Sequence, residues 1–287
     1  MTTQACLEAV RTFDAVPLAE LNARAELQQR VDRKYIVPAA ALQRLLDGLS
    51  RTHATLEIDG LRTFNYRTVY YDSPSLDSYR AQVQRRRRRF KCRTRHYLDT
   101  GIHAFEVKLE GFRGETIKKR QDVVASTALT LPDSCRDFLR ACLLEQYGHE
   151  LAEPELKAVV GMRYRRTTLV RAEGGERVTI DADLRVNGLG GRTAGMSPSH
   201  SIVETKSAGG RGVTDRLLVS LGARPVKCSK YCLAVTLTRP EFRGNDLRRL
   251  IGRYFEPVAP DDRRDAEGRA AILERWPRQH RRSTSRT

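Results

Sequence analysis

Apolar and polar residues alternate over long stretches of this chain, and in a few places the alternation gives way to helical spacing. Residues two apart on a strand share a face, whereas a helix gathers every third or fourth residue. The alternating stretches are THATLEID from Thr52, TFNYRTVYYD from Thr63, RRRRRFKCRTRHYLD from Arg85, HAFEVKLEG from His103 and ETIKKRQDV from Glu115. A second set follows: ELKAVVGMRYRRTTLVRA from Glu155, ERVTIDADLRVNG from Glu176, SIVETKS from Ser201, and KCSKYCLAVTL from Lys227, read as the last strand. Helical spacing predicts a helix over Pro17–Gln29, followed by the strand RVDRKYIV (30–37) and a second helix opened by Pro38 and running to Leu49. Further helices are expected at Asp77–Gln84, Pro132–Tyr147 and Asp215–Leu221, with a terminal amphipathic helix over 245–255 capped by Asn245. Hairpin turns are expected at Gly111–Gly114 and at Glu173–Gly175.

The charges follow the alternation. Arg85, Arg87, Arg89, Lys91, Arg93 and Arg95 occupy successive odd positions, while Phe90, Cys92, Thr94 and His96 occupy even ones. Glu106, Lys108 and Glu110 oppose Phe105, Val107 and Leu109; Lys118 and Arg120 oppose Ile117. Arg177, Thr179 and Asp181 oppose Val178 and Ile180, and Glu204 and Lys206 share a face with Ile202. One such strand is an ordinary half-solvated strand. Many together are harder to explain, because like charges on neighbouring strands repel. The pattern predicts an α+β fold, mainly antiparallel β, in which the sheet closes into a tunnel, the charged faces meet inside, and helices pack outside.

Composition sharpens this. Lys and Arg number 52 against 35 Asp and Glu, a net charge of +17. From Arg239 onward 13 Arg meet 8 Asp and Glu, so the larger part of the excess belongs to the preceding residues. A basic folded body expects a polyanionic partner. Nucleic acid is disfavoured, since aromatics are only 7% and none alternates with the basic positions as a stacking platform. No apolar run approaches the ~18 residues of a membrane span. The six cysteines show neither CxxC pairs nor zinc-like spacing to His. Reduced thiols and a cytoplasmic location are expected, with one domain over 1–255 and a basic, disordered tail over 256–287.

The pieces DRKYIVP, VYYDSPSLDSYR, KCRTRHY, FEVKLEG, ETIKKR, YRRT, RVTIDADL, VETK and VKCSKYCLA, in that order, resemble the VTC (vacuolar transporter chaperone) domain of the CYTH-like triphosphate tunnel metalloenzymes. The likeness covers roughly 28–238. It implies an eight-stranded antiparallel tunnel that binds triphosphate with a divalent metal, Mn2+ or Mg2+. In the eukaryotic VTC catalytic subunit this domain transfers the γ-phosphate of ATP to a growing inorganic polyphosphate chain. Carried over by motif, the catalytic phosphate-binding residues are Lys34, Arg93, Arg95, Lys108, Lys118, Arg166, Arg177, Lys227 and Lys230. Arg120 joins Arg93, Arg95, Lys118 and Arg177 in gripping phosphates, and Glu204 is the implied metal ligand; on the charge pattern alone, Glu106 or Glu110 is expected to share a phosphate-bridging divalent cation with it.

Two departures matter. The wider superfamily carries an N-terminal ExExK strand, where this chain has Arg30, Asp32 and Lys34. Loss of the first carboxylate argues against efficient two-metal hydrolysis and for the polymerase branch. No SPX-like region is read in these 287 residues, so regulation and translocation are expected to call for other proteins, a membrane-protein partner among them. The expected activity is therefore polyphosphate synthesis from ATP. A metal-dependent tri- or polyphosphate or nucleoside triphosphate hydrolase is the alternative, followed by a non-catalytic polyphosphate- or nucleic-acid-binding module.

Overall fold

A computed structural model describes residues 1–24, 31–124, 130–148, 155–173, 175–189, 191–242 and 245–258. Its strands are β1 (Asp14–Val16), β2 (Val31–Pro38), β3 (His53–Leu56), β4 (Thr63–Asp72), β5 (Phe90–Tyr97), β6 (Ile102–Glu110), β7 (Thr116–Asp122), β8 (Lys157–Arg171), β9 (Arg177–Gly188), β10 (Thr193–Met196), β11 (His200–Ser207) and β12 (Phe255–Pro257). Its helices are α1 (Thr3–Leu7), α2 (Leu18–Arg24), α3 (Ala39–Leu49), α4 (Asp77–Val83), α5 (Asp133–Tyr147), α6 (Val213–Ser220), α7 (Lys230–Thr238) and α8 (Asn245–Tyr254). The end of the first expected helix, Arg30, the turn at Gly174 and most of the basic tail lie outside the described residues.

Eight strands pair antiparallel in the order β2-β11-β9-β8-β4-β5-β6-β7. The short β10 and β12 extend the far end of β9, and β3 with β1 adds to β8. Among the described residues no ladder joins β2 to β7, so the sheet is not closed, contrary to the expected barrel. It is nevertheless strongly curled. Five inter-strand steps separate β11 from β6, a span of about 24 Å if the sheet were flat. Yet Lys108 of β6 acts electrostatically on Glu204 of β11, and Lys34 of β2 on Lys91 of β5. The segment leading to α7 runs beside β2, where the Val226 N–H donates to the Lys34 carbonyl at 2.7 Å.

The convex face is covered as alternation demands. α1, α3 and α6 pack on Tyr35, Val37, Leu169, Val178, Ile180 and Val203. α5 packs on Cys92, Phe105, Val107 and Leu109. The concave face differs from the expectation: the residues read as a last strand form α7, which lies inside the curl against Ile36, Val160, Met162, Leu184, Val186 and Ile202. Most of α7 is buried on all sides. A segment apolar all round carries no period, so alternation could not separate helix from strand there. The helix fills one part of the concavity, and charged side chains line the rest. No helix among the described residues is long and apolar enough to cross a membrane.

Candidate phosphate-binding cavity

The first cluster on the concave face gathers around Glu106, fully buried on β6. Ladder register places Arg93 of β5 opposite it on one side and Arg120 of β7 on the other. Its carboxylate meets Arg93 Nη2 at 2.7 Å, Lys118 Nζ at 2.5 Å and Arg95 Nη1 at 3.5 Å. Burial alone would raise its pKa, but Arg93, Arg95 and Lys118 outweigh that and hold it well below the usual carboxylate range.

A second cluster centres on the buried Asp181 of β9. Arg166 of β8 donates to it in bidentate fashion at 2.6 and 2.9 Å, and Lys230, the first residue of α7, forms an ion pair with it. Burial opposes its ionisation, yet Arg166 and Lys230 pull its pKa down to about 2. Aromatic rings support the cations: Arg166 lies 5.3 Å from the centroids of Tyr66 and Tyr164, and Lys230 5.3 Å from that of Tyr164. The Tyr164 hydroxyl is buried and makes no hydrogen bond among the described residues.

The third cluster is made of lysines. Glu204 of β11 lies 2.8 Å from Lys206 Nζ and 3.8 Å from Lys34 Nζ of β2. Lys206 also pairs with Asp32 at 2.5 Å. Lys91 of β5 stands directly opposite Lys108 of β6 in the ladder, and its Nζ lies 3.5 Å from Ser229 Oγ at the start of α7. Burial lowers the pKa of both lysines, Lys108 strongly, and neighbouring cations lower them further. The N-terminal end of α7 adds the positive pole of a helix dipole.

Across the three clusters nine cations (Lys34, Lys91, Arg93, Arg95, Lys108, Lys118, Arg166, Lys206 and Lys230) face four carboxylates (Asp32, Glu106, Asp181 and Glu204). An excess of five positive charges in a partly buried space asks for an anion of similar charge, such as a triphosphate group.

The structure thus brings together seven of the nine expected phosphate-binding residues, together with Glu204 and Glu106. The other two lie at the margin. Arg177 stands next to Lys206 at the end of β9, and Lys227 is exposed in the segment before α7. Arg120 lies on the edge strand β7, pairs with Asp122 at 2.9 Å and covers the Tyr97 ring. The Glu106 carboxylate is engaged by Arg93, Arg95 and Lys118, and that of Glu204 by Lys34 and Lys206. Arg85–Arg89 precede β5 instead of extending its basic face. Among the described residues no group of three His, Cys, Asp or Glu could hold a metal ion. The residues still fit a divalent ion carried by substrate: Glu204, 12% exposed in its side chain, supplies one hard oxygen ligand where phosphate oxygens would supply the rest.

A family model of the VTC domain matches residues 29–239. The chain belongs to the VTC domain family. Among solved structures, the Hippeastrum protein HpAC1, described as having a dominant triphosphatase activity, is 16% identical over 72% of this chain and 96% of its own, with a TM-score of 0.44. A Vibrio parahaemolyticus protein is 12% identical over 71% and 96%, with a TM-score of 0.41. PH1819 from Pyrococcus horikoshii is 14% identical over 72% and 98%, with a TM-score of 0.39. Comparison with curated proteins found no match.

In this VTC domain the cavity includes residues beyond the expected set. Lys91 and Lys206 share the parity of their neighbours and could have been added on that ground. Ser229 was visible only as the residue between Lys227 and Lys230. Tyr164 gave no signal, because its place beside the cations depends on the curl of the sheet.

The lysine pair makes a pH prediction. Only protonated lysine attracts an anion, and Lys91 and Lys108 have lowered pKa values in the free protein. A bound polyanion raises those values, so binding takes up protons. Affinity for tripolyphosphate is expected to be full below the free-protein pKa values and to fall as pH climbs through them, beneath the ordinary lysine range near ~10.4. Calorimetry in buffers of different ionisation enthalpy checks this; net proton release on binding at alkaline pH would refute it.

Proposed function

We propose that this VTC domain is a polyphosphate polymerase, transferring the γ-phosphate of ATP to the end of an inorganic polyphosphate chain. The observation that carries the reading is the state of the cavity's carboxylates. Glu106, Asp181 and Glu204 are each engaged by cations and each has a lowered pKa. None is poised to take a proton from water. A phosphate oxyanion is already ionised at neutral pH and attacks without a base, so the site suits a phosphate acceptor better than a water molecule.

In this mechanism Arg93, Arg95, Lys118, Arg166 and Lys230 grip and align the triphosphate, and Lys34, Lys91 and Lys108 neutralise charge at the other side of the cavity. A terminal oxygen of the acceptor chain attacks the γ-phosphorus in line. The bond from that phosphorus to the bridging oxygen breaks, ADP leaves, and the chain is longer by one phosphate. A divalent cation bound with the phosphates, with Glu204 as its protein ligand, would supply further neutralisation of the phosphoryl oxygens. Arginine and lysine side chains fixed in place before substrate arrives stabilise the spread charge of the transition state without reorganising.

Hydrolysis is the second reading, and one observation favours it: a lysine with a strongly lowered pKa, such as Lys108, is able to act as a general base on water. Purified protein given ATP with Mn2+ or Mg2+ separates the two. A ladder of phosphate chains on a gel is expected. Orthophosphate release with no ladder would replace the polymerase by a hydrolase, and tight binding without turnover would leave a binding module.

A further inference from the structure

Five consecutive arginines, Arg85–Arg89, stand between α4 and β5, and the cavity mechanism uses none of them. α4 ends at Val83 and the chain reverses with Arg85 in the left-handed region, at φ 53°. The Arg86 N–H then donates to the Ala81 carbonyl at 3.0 Å. Glycine ordinarily takes the left-handed place after a helix because it has no Cβ to strain. Here an arginine holds it, so local stability does not explain the residue.

Arg85 to Arg88 are exposed, whereas Arg89 turns back and anchors the turn. Its guanidinium pairs with Glu110 and donates to the Arg86 carbonyl at 2.6 Å. The Tyr147 hydroxyl lies 3.0 Å from the Arg89 carbonyl and 3.1 Å from that of Glu110, tying the turn to α5 and β6. Two residues beyond Arg89, about 7 Å along an extended chain, Lys91 enters the lysine cluster beside Ser229. The exposed arginines therefore lie only a few residues along the chain from a cation of the lysine cluster.

We infer that Arg85–Arg88 form a second anion site, on which the part of a long polyphosphate chain that extends beyond the cavity lands. The inference rests on the polyphosphate reading above. Rows of phosphates with a charge on every unit suit consecutive exposed arginines, which need no base or sugar to recognise. A nucleic-acid strand would call for rings on which successive bases stack. Phe112, the exposed ring beside the turn, is instead set edge-on to Tyr147.

The test uses the full chain carrying Arg86→Ser, Arg87→Ser and Arg88→Ser together, titrated with tripolyphosphate and with polyphosphate of about 100 units over a range of salt concentrations. Long-chain affinity is expected to weaken at least tenfold at about 0.1 M salt, with the salt slope shallower by about 2, one increment of about 0.7 for each lost cation. Tripolyphosphate affinity is expected to stay within about twofold, which also reports an intact fold. Unchanged long-chain affinity would overturn the landing site alone. An equal loss for both ligands would also overturn it, since the turn would not be separate from the cavity. If the unaltered protein binds neither ligand, the polyphosphate reading falls and takes this inference with it. A loss confined to single-stranded nucleic acid or anionic vesicles would assign the turn to that partner instead.

Discussion

Replacing Glu204 with glutamine is expected to lower kcat by about a hundredfold or more while tightening the binding of metal-free tripolyphosphate. The two effects have opposite signs because the carboxylate has two relations to its surroundings. Toward a divalent cation it is the proposed protein ligand, and neutralising transferred phosphoryl oxygens is worth several kcal/mol, each ~1.4 kcal/mol being a factor of ten. Toward the lysines it is a counter-charge: Lys34, Lys206, Lys230 and Lys108 all lower its pKa against the effect of burial. Glutamine keeps the size and an acceptor for Lys206 but removes the negative charge, so an incoming polyanion meets one more uncompensated cation. At an effective dielectric of about 20, a unit charge about 5 Å away contributes roughly 3 kcal/mol before screening, so a tightening of about tenfold is a modest expectation. Steady-state kinetics with ATP and calorimetry without metal would read the two effects separately. Undiminished turnover would remove Glu204 from the metal-binding role, and weaker metal-free binding would refute the electrostatic account.

The concave charged face was legible in sequence for a simple reason. On β6, β9 and β11 every second residue changes character, so the phase of the strand is fixed by chemistry: Glu106 and Lys108 against Phe105 and Val107, Thr179 and Asp181 against Val178 and Ile180. The run Arg85–Arg89 shows where that logic fails. When five successive residues are identical, any phase fits, and the odd-position pattern there says nothing about a strand; the structure makes it a turn. α7 fails for the complementary reason, since burial on every side erases the contrast that marks a period. Closure is a third case. Whether β2 meets β7 depends on the summed twist and stagger of eight strands, to which no single residue testifies. The chain leaves that edge to the segment before α7, and the same segment delivers Ser229 and Lys230 to the cavity.

Replacing Glu106 with alanine is expected to destabilise the free protein by about 3–5 kcal/mol, the usual consequence of removing one partner from a buried ionic cluster. Glu106 is fully buried, and Arg93 and Arg95 are 12% and 7% exposed in their side chains, so water is poorly placed to take over its role. Lys118 is 39% exposed and should relax toward solvent at little cost. For a domain of this size each kcal/mol moves the melting temperature by roughly 2–4 °C, so a fall of about 10 °C is expected. Glu106→Gln should fall less, because an amide oxygen still accepts from Arg93. The decisive comparison is with ligand present. A polyanion places negative charge among Arg93, Arg95 and Lys118, so saturating tripolyphosphate should raise the melting temperature of the Glu106→Ala variant by more than it raises that of the unaltered protein. A variant that melts within about 2 °C of the unaltered protein, or gains no more from tripolyphosphate than it does, would mean that Glu106 is not what holds these cations in the ligand-free cavity.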